Sequence, residues 1–296
     1  MKQQTAYKLL AAFLVLTMIF SVFAYIFISP RSQTEQETQN QNQSQQEKYN
    51  PEYWTINQPF YSITDALNMT PVGVELATYT DLESMTPQMT QWARQDVTVI
   101  NEADTIYNST TTKVYYAALK EGKNNSFLLL STMSPEKNNF EYIVYPQQIA
   151  GNYILVRQEP QLNGLYNVMG TPTILAPGDT LGGVLEIITS LNKTVTAYDQ
   201  YAGLLSKAEP APYQLLSSNV SFAKQYYMGI GLNNGSYERI TAYLDANSTT
   251  LQKLNQLKAN STGKGFTEYN ITSGGNYTTV KIAGPDMFRV LSEETS

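Results

Sequence analysis

Leu9 to Ile28 reads LLAAFLVLTMIFSVFAYIFI, 20 residues without a charge, and no other feature constrains the chain's fold as strongly. An α-helix of that length spans roughly 30 Å at 1.5 Å per residue, the thickness of a bilayer's hydrocarbon core. Lys2 and Lys8 precede the run, while Arg31, Glu35 and Glu37 follow it. This bias predicts a cytoplasmic N-terminus with the rest of the chain outside. The rival reading is a cleaved signal peptide, for which Val22-Phe23-Ala24 offers a small-residue cleavage site. Tyr25-Ile26-Phe27-Ile28 extends the apolar run past that site, which favours an uncleaved anchor in residues 1–31. Either reading puts the bulk of the chain outside the cytoplasm.

Residues 32–50 follow as SQTEQETQNQNQSQQEKYN. Nothing apolar lies between Gln33 and Gln46, so the segment cannot bury enough surface to offset its ordering entropy. It is expected to be a disordered stalk. A Gln/Asn-rich aggregation segment is the alternative, opposed by the interspersed Glu residues.

The chain has no cysteine and no histidine. Disulfides, thiol nucleophiles, Fe–S clusters, zinc hydrolases and Ser-His-Asp or Cys-His catalysis are excluded with residues of this chain. Charged residues make up 15% against a usual ~25%, and the net charge is −6. No basic stripe is available for a phosphate backbone, so nucleic-acid binding is not expected.

Asn-x-Ser/Thr sequons, the acceptors for N-glycosylation, occur at Asn42, Asn68, Asn108, Asn124, Asn192, Asn219, Asn234, Asn247, Asn260, Asn270 and Asn276. With 23 Asn and 53 Ser plus Thr among 296 residues, random placement gives about 4 sequons. Asn, Ser and Thr also crowd together in turns, which weakens any single match. The excess coincides with an anchor that places the sites outside, so the eleven are expected to carry glycans. An exported, sequon-dense, cysteine-free chain resembles archaeal envelope proteins in style, without a motif match to a named family.

Beyond the stalk the chain reads as α+β, with two tandem duplicated units over 51–160 and 161–296. Each is expected to be an antiparallel sheet with one or two packing helices. Asn68-Met69-Thr70-Pro71 answers to Met169-Gly170-Thr171-Pro172, and Lys113–Leu119 to Lys224–Ile230. Phe140–Tyr145 with Gly151–Arg157 answers to Phe266–Ile271 with Gly275–Lys281. Two hairpins per unit follow, and Asn233-Asn234-Gly235 is the strongest turn among them. Thr80 with Glu83 reads as a capping box and Thr86-Pro87 as a second helix start, with Leu82, Met85, Met89 and Trp92 recurring at helical spacing. Asp179 reads as the cap of a helix striped by Leu181, Val184, Leu185, Ile188 and Leu191; Tyr198, Tyr201, Ala202 and Leu205 continue as another, and Leu251, Leu254 and Leu257 form a short one later. Period-2 alternation puts Glu268, Asn270 and Thr272 on a solvated face and Tyr269 and Ile271 towards a core.

Catalytic candidates are few. Asp81 with Glu83, and Glu102 with Asp104, are the closest carboxylate pairs in the folded region, with Ca²⁺ binding or glycosidase chemistry as the functional reading. Helix-start charges explain the first pair and a polar loop the second. Ser206-Lys207 are merely adjacent at a helix end. Gly229-Ile230-Gly231 suggests a close backbone approach. Of the paired strand tyrosines, 115 with 116 and 226 with 227, one of each is expected in a core and the other exposed. No metal ligand set, catalytic constellation or cofactor motif emerges. The expectation is a membrane-anchored, single-pass, N-glycosylated cell-surface protein with a non-catalytic binding or envelope-structural role, its partners being envelope proteins or glycans. The alternatives are a carboxylate-pair hydrolase or its assisting subunit, and a filament or envelope layer assembled through edge strands.

Overall fold

The structure is a computed structural model that describes residues 55–122, 124–134, 143–145, 154–157, 165–190, 194–218 and 220–293. The apolar run, the stalk and the sequons at Asn42, Asn192 and Asn219 lie outside the described residues. Among the described residues no helix is long and apolar enough to cross a membrane.

The order of elements is β1 (Ile56–Asn57), α1 (Ile63–Asn68), β2 (Val74–Asp81), a 3-10 turn (Leu82–Ser84), α2 (Pro87–Asp96) and α3 (Val99–Tyr107). The chain continues with β3 (Thr110–Glu121), β4 (Asn124–Ser134), β5 (Ile143–Val144), β6 (Leu155–Arg157), β7 (Leu165–Val168), β8 (Gly170–Thr171) and β9 (Thr173–Pro177). Then come α4 (Gly178–Thr189), α5 (Ala197–Leu205), β10 (Tyr213–Ser217), β11 (Gln225–Asn233), β12 (Ser236–Leu244) and α6 (Ser248–Ala259). The last are β13 (Glu268–Gly274), β14 (Tyr277–Gly284) and α7 (Met287–Ser292). The fold is α+β.

All four hairpins read from the sequence form: β3 with β4, β5 with β6, β11 with β12, and β13 with β14. Asn234 and Gly235 both have positive φ, 49° and 80°, as a two-residue hairpin turn with the right twist demands. Thr86 caps α2 by accepting a hydrogen bond from the Met89 N–H at 3.3 Å, and Pro87 occupies its first turn. Other details differ from expectation. Asp81, and not Thr80, caps the 3-10 turn through the Glu83 and Ser84 N–H groups, and Asp179 lies inside the first turn of α4, which follows Pro177 without a side-chain cap. Glu102 and Asp104 lie on α3 and not in a polar loop. The buried residues Val99, Ile100, Ala103 and Tyr107 give that helix its apolar side, while Thr98 makes no side-chain cap.

Twelve strands join in one antiparallel sheet, in the order β13-β14-β12-β11-β10-β2-β3-β4-β9-β7-β6-β5. A sheet for each unit was expected, and a single shared one forms. β2 and β10 pair at its middle from Leu76↔Ser217 to Thr80↔Tyr213. From that pair, β2-β3-β4 and β10-β11-β12 meander outward in opposite directions. β9 and β7, from beyond residue 160, sit between β4 and β6. β1 and β8 form a separate parallel pair.

Both faces of the central sheet are covered. α1, α4 and α5 pack on one side against Ala77, Tyr79, Tyr115, Leu128, Ile174 and Tyr227. α2 and α3 pack on the other against Val114, Tyr116, Leu129 and Leu175. The cluster around Tyr243, Val280 and Ile282 packs with Leu254 of α6 and Val290 of α7. Fully burying a large apolar side chain contributes about 1.5–3 kcal/mol, so these layers hold the fold. Arg239, 1% exposed, donates from Nη1 to the Leu291 carbonyl at 2.7 Å and ties α7 to the sheet.

The double cover corrects the tyrosine expectation: Tyr115 and Tyr116 are both buried, on opposite faces. It also corrects the residue-for-residue match of the two halves. Tyr115 shares its core with Tyr227, whereas Tyr226, matched to it by sequence, packs with the third cluster. A one-residue slip along a strand exchanges the faces. Asn68–Pro71 begins on the last residue of α1, whereas Met169–Pro172 holds β8 and leads into β9, so that pair of segments is not equivalent in structure.

Candidate functional site

The eight described sequon asparagines, at 68, 108, 124, 234, 247, 260, 270 and 276, are all exposed. Their places follow from backbone chemistry. Asn108 and Asn234 adopt positive φ, which Asn tolerates better than most residues, at a helix end and a hairpin tip. Asn124 opens β4 and Asn276 lies in the β13–β14 turn. Asn247 caps α6, accepting from the Thr250 N–H at 2.8 Å, and Asn260 ends that helix. Asn68 ends α1, and its Nδ2 donates to the Thr64 carbonyl at 3.0 Å. Asn270 sits in the interior of β13 on the face that also carries Glu268 and Thr272, all three exposed. Tyr269 and Ile271 turn to the core, as the alternation predicts. Exposure is required of an acceptor without identifying one, since Asn57, Asn101, Asn125, Asn233 and Asn255 are exposed outside sequons.

Asp81, Glu83 and Asp104 are occupied by the chain's own cations. Lys113 Nζ lies 2.5 Å from Glu83 and 3.6 Å from Asp81. Burial draws that ammonium's pKa down, but the Glu83 hydrogen bond and the charges of Asp81 and Glu83 outweigh it, leaving a net rise. Asp104 meets Arg94 at 2.6 Å and accepts from the Thr111 N–H at 2.5 Å, joining α2, α3 and β3. Glu102 stands apart, its pKa raised by partial burial. Ser206 Oγ donates to the Gly203 carbonyl as a helix end closes, and Lys207 Nζ lies 5.6 Å from the Tyr277 ring centre. No cluster of three metal-ligating carboxylates exists among the described residues.

A grouping that sequence reasoning missed lies on the β11–β12 hairpin. An added Cβ would lie 2.6 Å from the Tyr227 hydroxyl and 3.2 Å from the Ala211 Cβ at Gly229, and 3.0 Å from the Pro212 ring at Gly231. These are side-chain atoms, so the approach at the glycine pair is made by side chains and not by backbone as expected. Beside it opens a shallow cavity of about 220 Å³ that includes Glu209, Asn233, Glu238 and Ile240. Lys281 reaches Glu238 at 2.9 Å and Glu209 at 3.7 Å. Its pKa rises through the Glu238 hydrogen bond, against some burial, with the neighbouring negative charges adding to the rise. These residues come from a loop and three strands, β11, β12 and β14, and no sequence spacing joins them. A second depression, of about 270 Å³, has Asn68, Thr196, Tyr198 and Asp199 in its wall.

A half-buried acid stands outside these groups. Asp96 accepts a hydrogen bond from the Tyr213 hydroxyl at 3.2 Å, and the Trp92 ring lies 4.8 Å from that of Tyr213. Burial raises the Asp96 pKa, and the tyrosine's hydrogen bond offsets part of the rise.

No protein-family model matches the chain, and no curated protein matches it in sequence. Among solved structures, crystal forms III and I of TP0453 are similar to it at 10% identity, with TM-scores of 0.41 and 0.42. They cover 77% of this chain and 97% and 96% of theirs. Crystal form IV is similar at 9% identity and a TM-score of 0.41. These matches assign no family.

Proposed function

We propose that the chain is a membrane-anchored, N-glycosylated cell-surface protein with a non-catalytic binding or envelope-structural role. Residues 1–31 hold the cytoplasmic tip and anchor, and 32–50 form the stalk that carries the folded region away from the membrane. The observation that carries the reading is the excess of sequons, with every described acceptor exposed on the folded region. A glycan at such a position meets solvent and displaces no packing. The ion pairs at Asp81, Glu83 and Asp104 give those carboxylates a structural task.

The folded region comprises the halves 51–160 and 161–296, descended from one duplicated unit of two hairpins. Two meanders running outward from the β2–β10 pair support that history. Glycopeptide mass spectrometry of the protein from its native membrane tests the functional reading. Glycans on several of the eight exposed acceptors are expected, and finding all eleven asparagines unmodified would overturn it.

A further inference from the structure

An N-glycosylation acceptor is defined by two side chains, the Asn amide and the hydroxyl two residues on, so the transferring enzyme has to reach both. All eight described sequons expose the Asn, but the fold treats their hydroxyls differently. Thr110, Thr249, Thr262 and Thr272 are exposed, and Ser236 is half-buried. Thr70, Ser126 and Thr278, which complete the sequons at Asn68, Asn124 and Asn276, are buried at 0%, 9% and 6% exposure.

Each of these three is locked by other elements. The Thr70 hydroxyl donates to the Ala66 carbonyl at 2.7 Å and hydrogen-bonds the Tyr115 hydroxyl of β3 at 3.1 Å. Its backbone carbonyl accepts from the Ala197 N–H of α5 at 2.9 Å. Ser126 pairs with Leu119 of β3, and its hydroxyl hydrogen-bonds that of Thr180 on α4. Thr278 has a strand on each side, opposite Tyr243 of β12 and Ser273 of β13, and its hydroxyl lies 3.1 Å from that of Ser273. Reaching Thr70 means parting α1, α5 and β3 through the first core cluster, and reaching Ser126 means lifting α4 from β4. Core openings of that extent approach global unfolding in rarity.

We infer that the sequons at Asn68, Asn124 and Asn276, whose hydroxyls the fold buries, accept glycans only before the chain folds, whereas Asn260 stays open to transfer afterwards. The inference rests on the glycosylation proposed above and fixes the order of two events at its sites. In the transfer, the Asn Nδ2 bonds to the anomeric carbon of a glycosyl phosphate donor and gives up a proton. The sugar–phosphate bond breaks and the phosphate leaves. The product suits the folded chain, because the three Asn side chains stay exposed while only the hydroxyls turn inwards. At Asn260 the hydroxyl residue, Thr262, is exposed in the connection between α6 and β13.

The test incubates the full unmodified chain, folded in detergent, with membranes of the native host as the source of transferase and donor. Synthetic peptides spanning the sequons at Asn68, Asn124, Asn260 and Asn276 are the unfolded standards. Glycopeptide mass spectrometry reads the rate at each site, and a cooperative melt certifies that the chain is folded. Expected are transfer to all four peptides and, in the folded chain, transfer at Asn260. Rates at the other three sites should fall roughly 100-fold or more below those of their peptides. A smaller reduction at any of the three, or a folded chain refused at Asn260 as well, overturns the inference while glycosylation stands. So does refusal of one peptide among accepted ones; if every peptide is refused, both readings fall. Should the unmodified chain not fold, pulse-labelling in the native host replaces it. Occupancy at the three sites must then stay constant from the end of synthesis, and a rise during the chase overturns the inference.

Discussion

At the scale of single residues, two features have measurable consequences. Gly170 has φ +153°, and a Cβ there would lie 2.5 Å from the Ile56 carbonyl oxygen and 2.7 Å from the Ile56 nitrogen. Both are backbone atoms of β1, so no rotamer change relieves the clash. Gly170→Ala is expected to cost about 2 kcal/mol or more in urea unfolding. Gly182→Ala, inside α4 with open space around it, should instead gain up to ~1 kcal/mol. Asp96 is the second feature. Its pKa is raised in the fold, so its contribution to stability is fully present below the ordinary carboxylate value of about 3.9 and lost as pH rises through the folded value. Asp96→Asn keeps an acceptor for the Tyr213 hydroxyl and removes the titration. The melting temperature should therefore rise at pH 7 and stay nearly unchanged at pH 3.5. An equal shift at both pH values would contradict the assignment.

At the scale of elements, capping and glycosylation meet at Asn247. Its Oδ1 caps α6 through the Thr250 N–H, while a glycan would attach at Nδ2. Asn247→Ala should destabilise by about 1 kcal/mol, whereas Thr249→Ala removes the sequon and leaves both the cap and the Nδ2 hydrogen bond to the Ser221 carbonyl in place. Thermal melts of unglycosylated material separate the two roles, since Thr249→Ala should then be at least as stable as the unaltered chain. Elements with a strong local signal were legible in the sequence: the Asn-Gly hairpin turn, the Thr-Pro start of α2, the leucine stripe of α6. α3 was not legible. Its β-branched start, Val97-Thr98-Val99-Ile100, lacks a cap, and burial against β3 and its neighbours holds it in place.

At the scale of the whole molecule, the shared sheet governs behaviour. Expressing 51–160 alone would strip β2 of β10 and β4 of β9, exposing two strand edges and both sheet faces. Neither 51–160 nor 161–296 is expected to fold alone. The full folded region should unfold in a single transition, coincident by circular dichroism and tryptophan fluorescence. Two separated transitions would show independent halves. The Glu209–Lys281–Glu238 grouping belongs to this scale too, because strand register and the loop before β10 create it.

Sequence by itself determined the α+β class, the four hairpins, the alternation that exposes Asn270, and the helices marked by caps or leucine stripes. Local backbone preference and side-chain periodicity fix these within a few residues. Tertiary structure alone decided that the two halves share one sheet, that both of its faces are covered, and that Tyr115 stands with Tyr227 and not with Tyr226. The physical reason is register. Which edge a strand joins, and which face a side chain then presents, depends on partners distant in the chain, and a single-residue shift reverses every side chain along the strand.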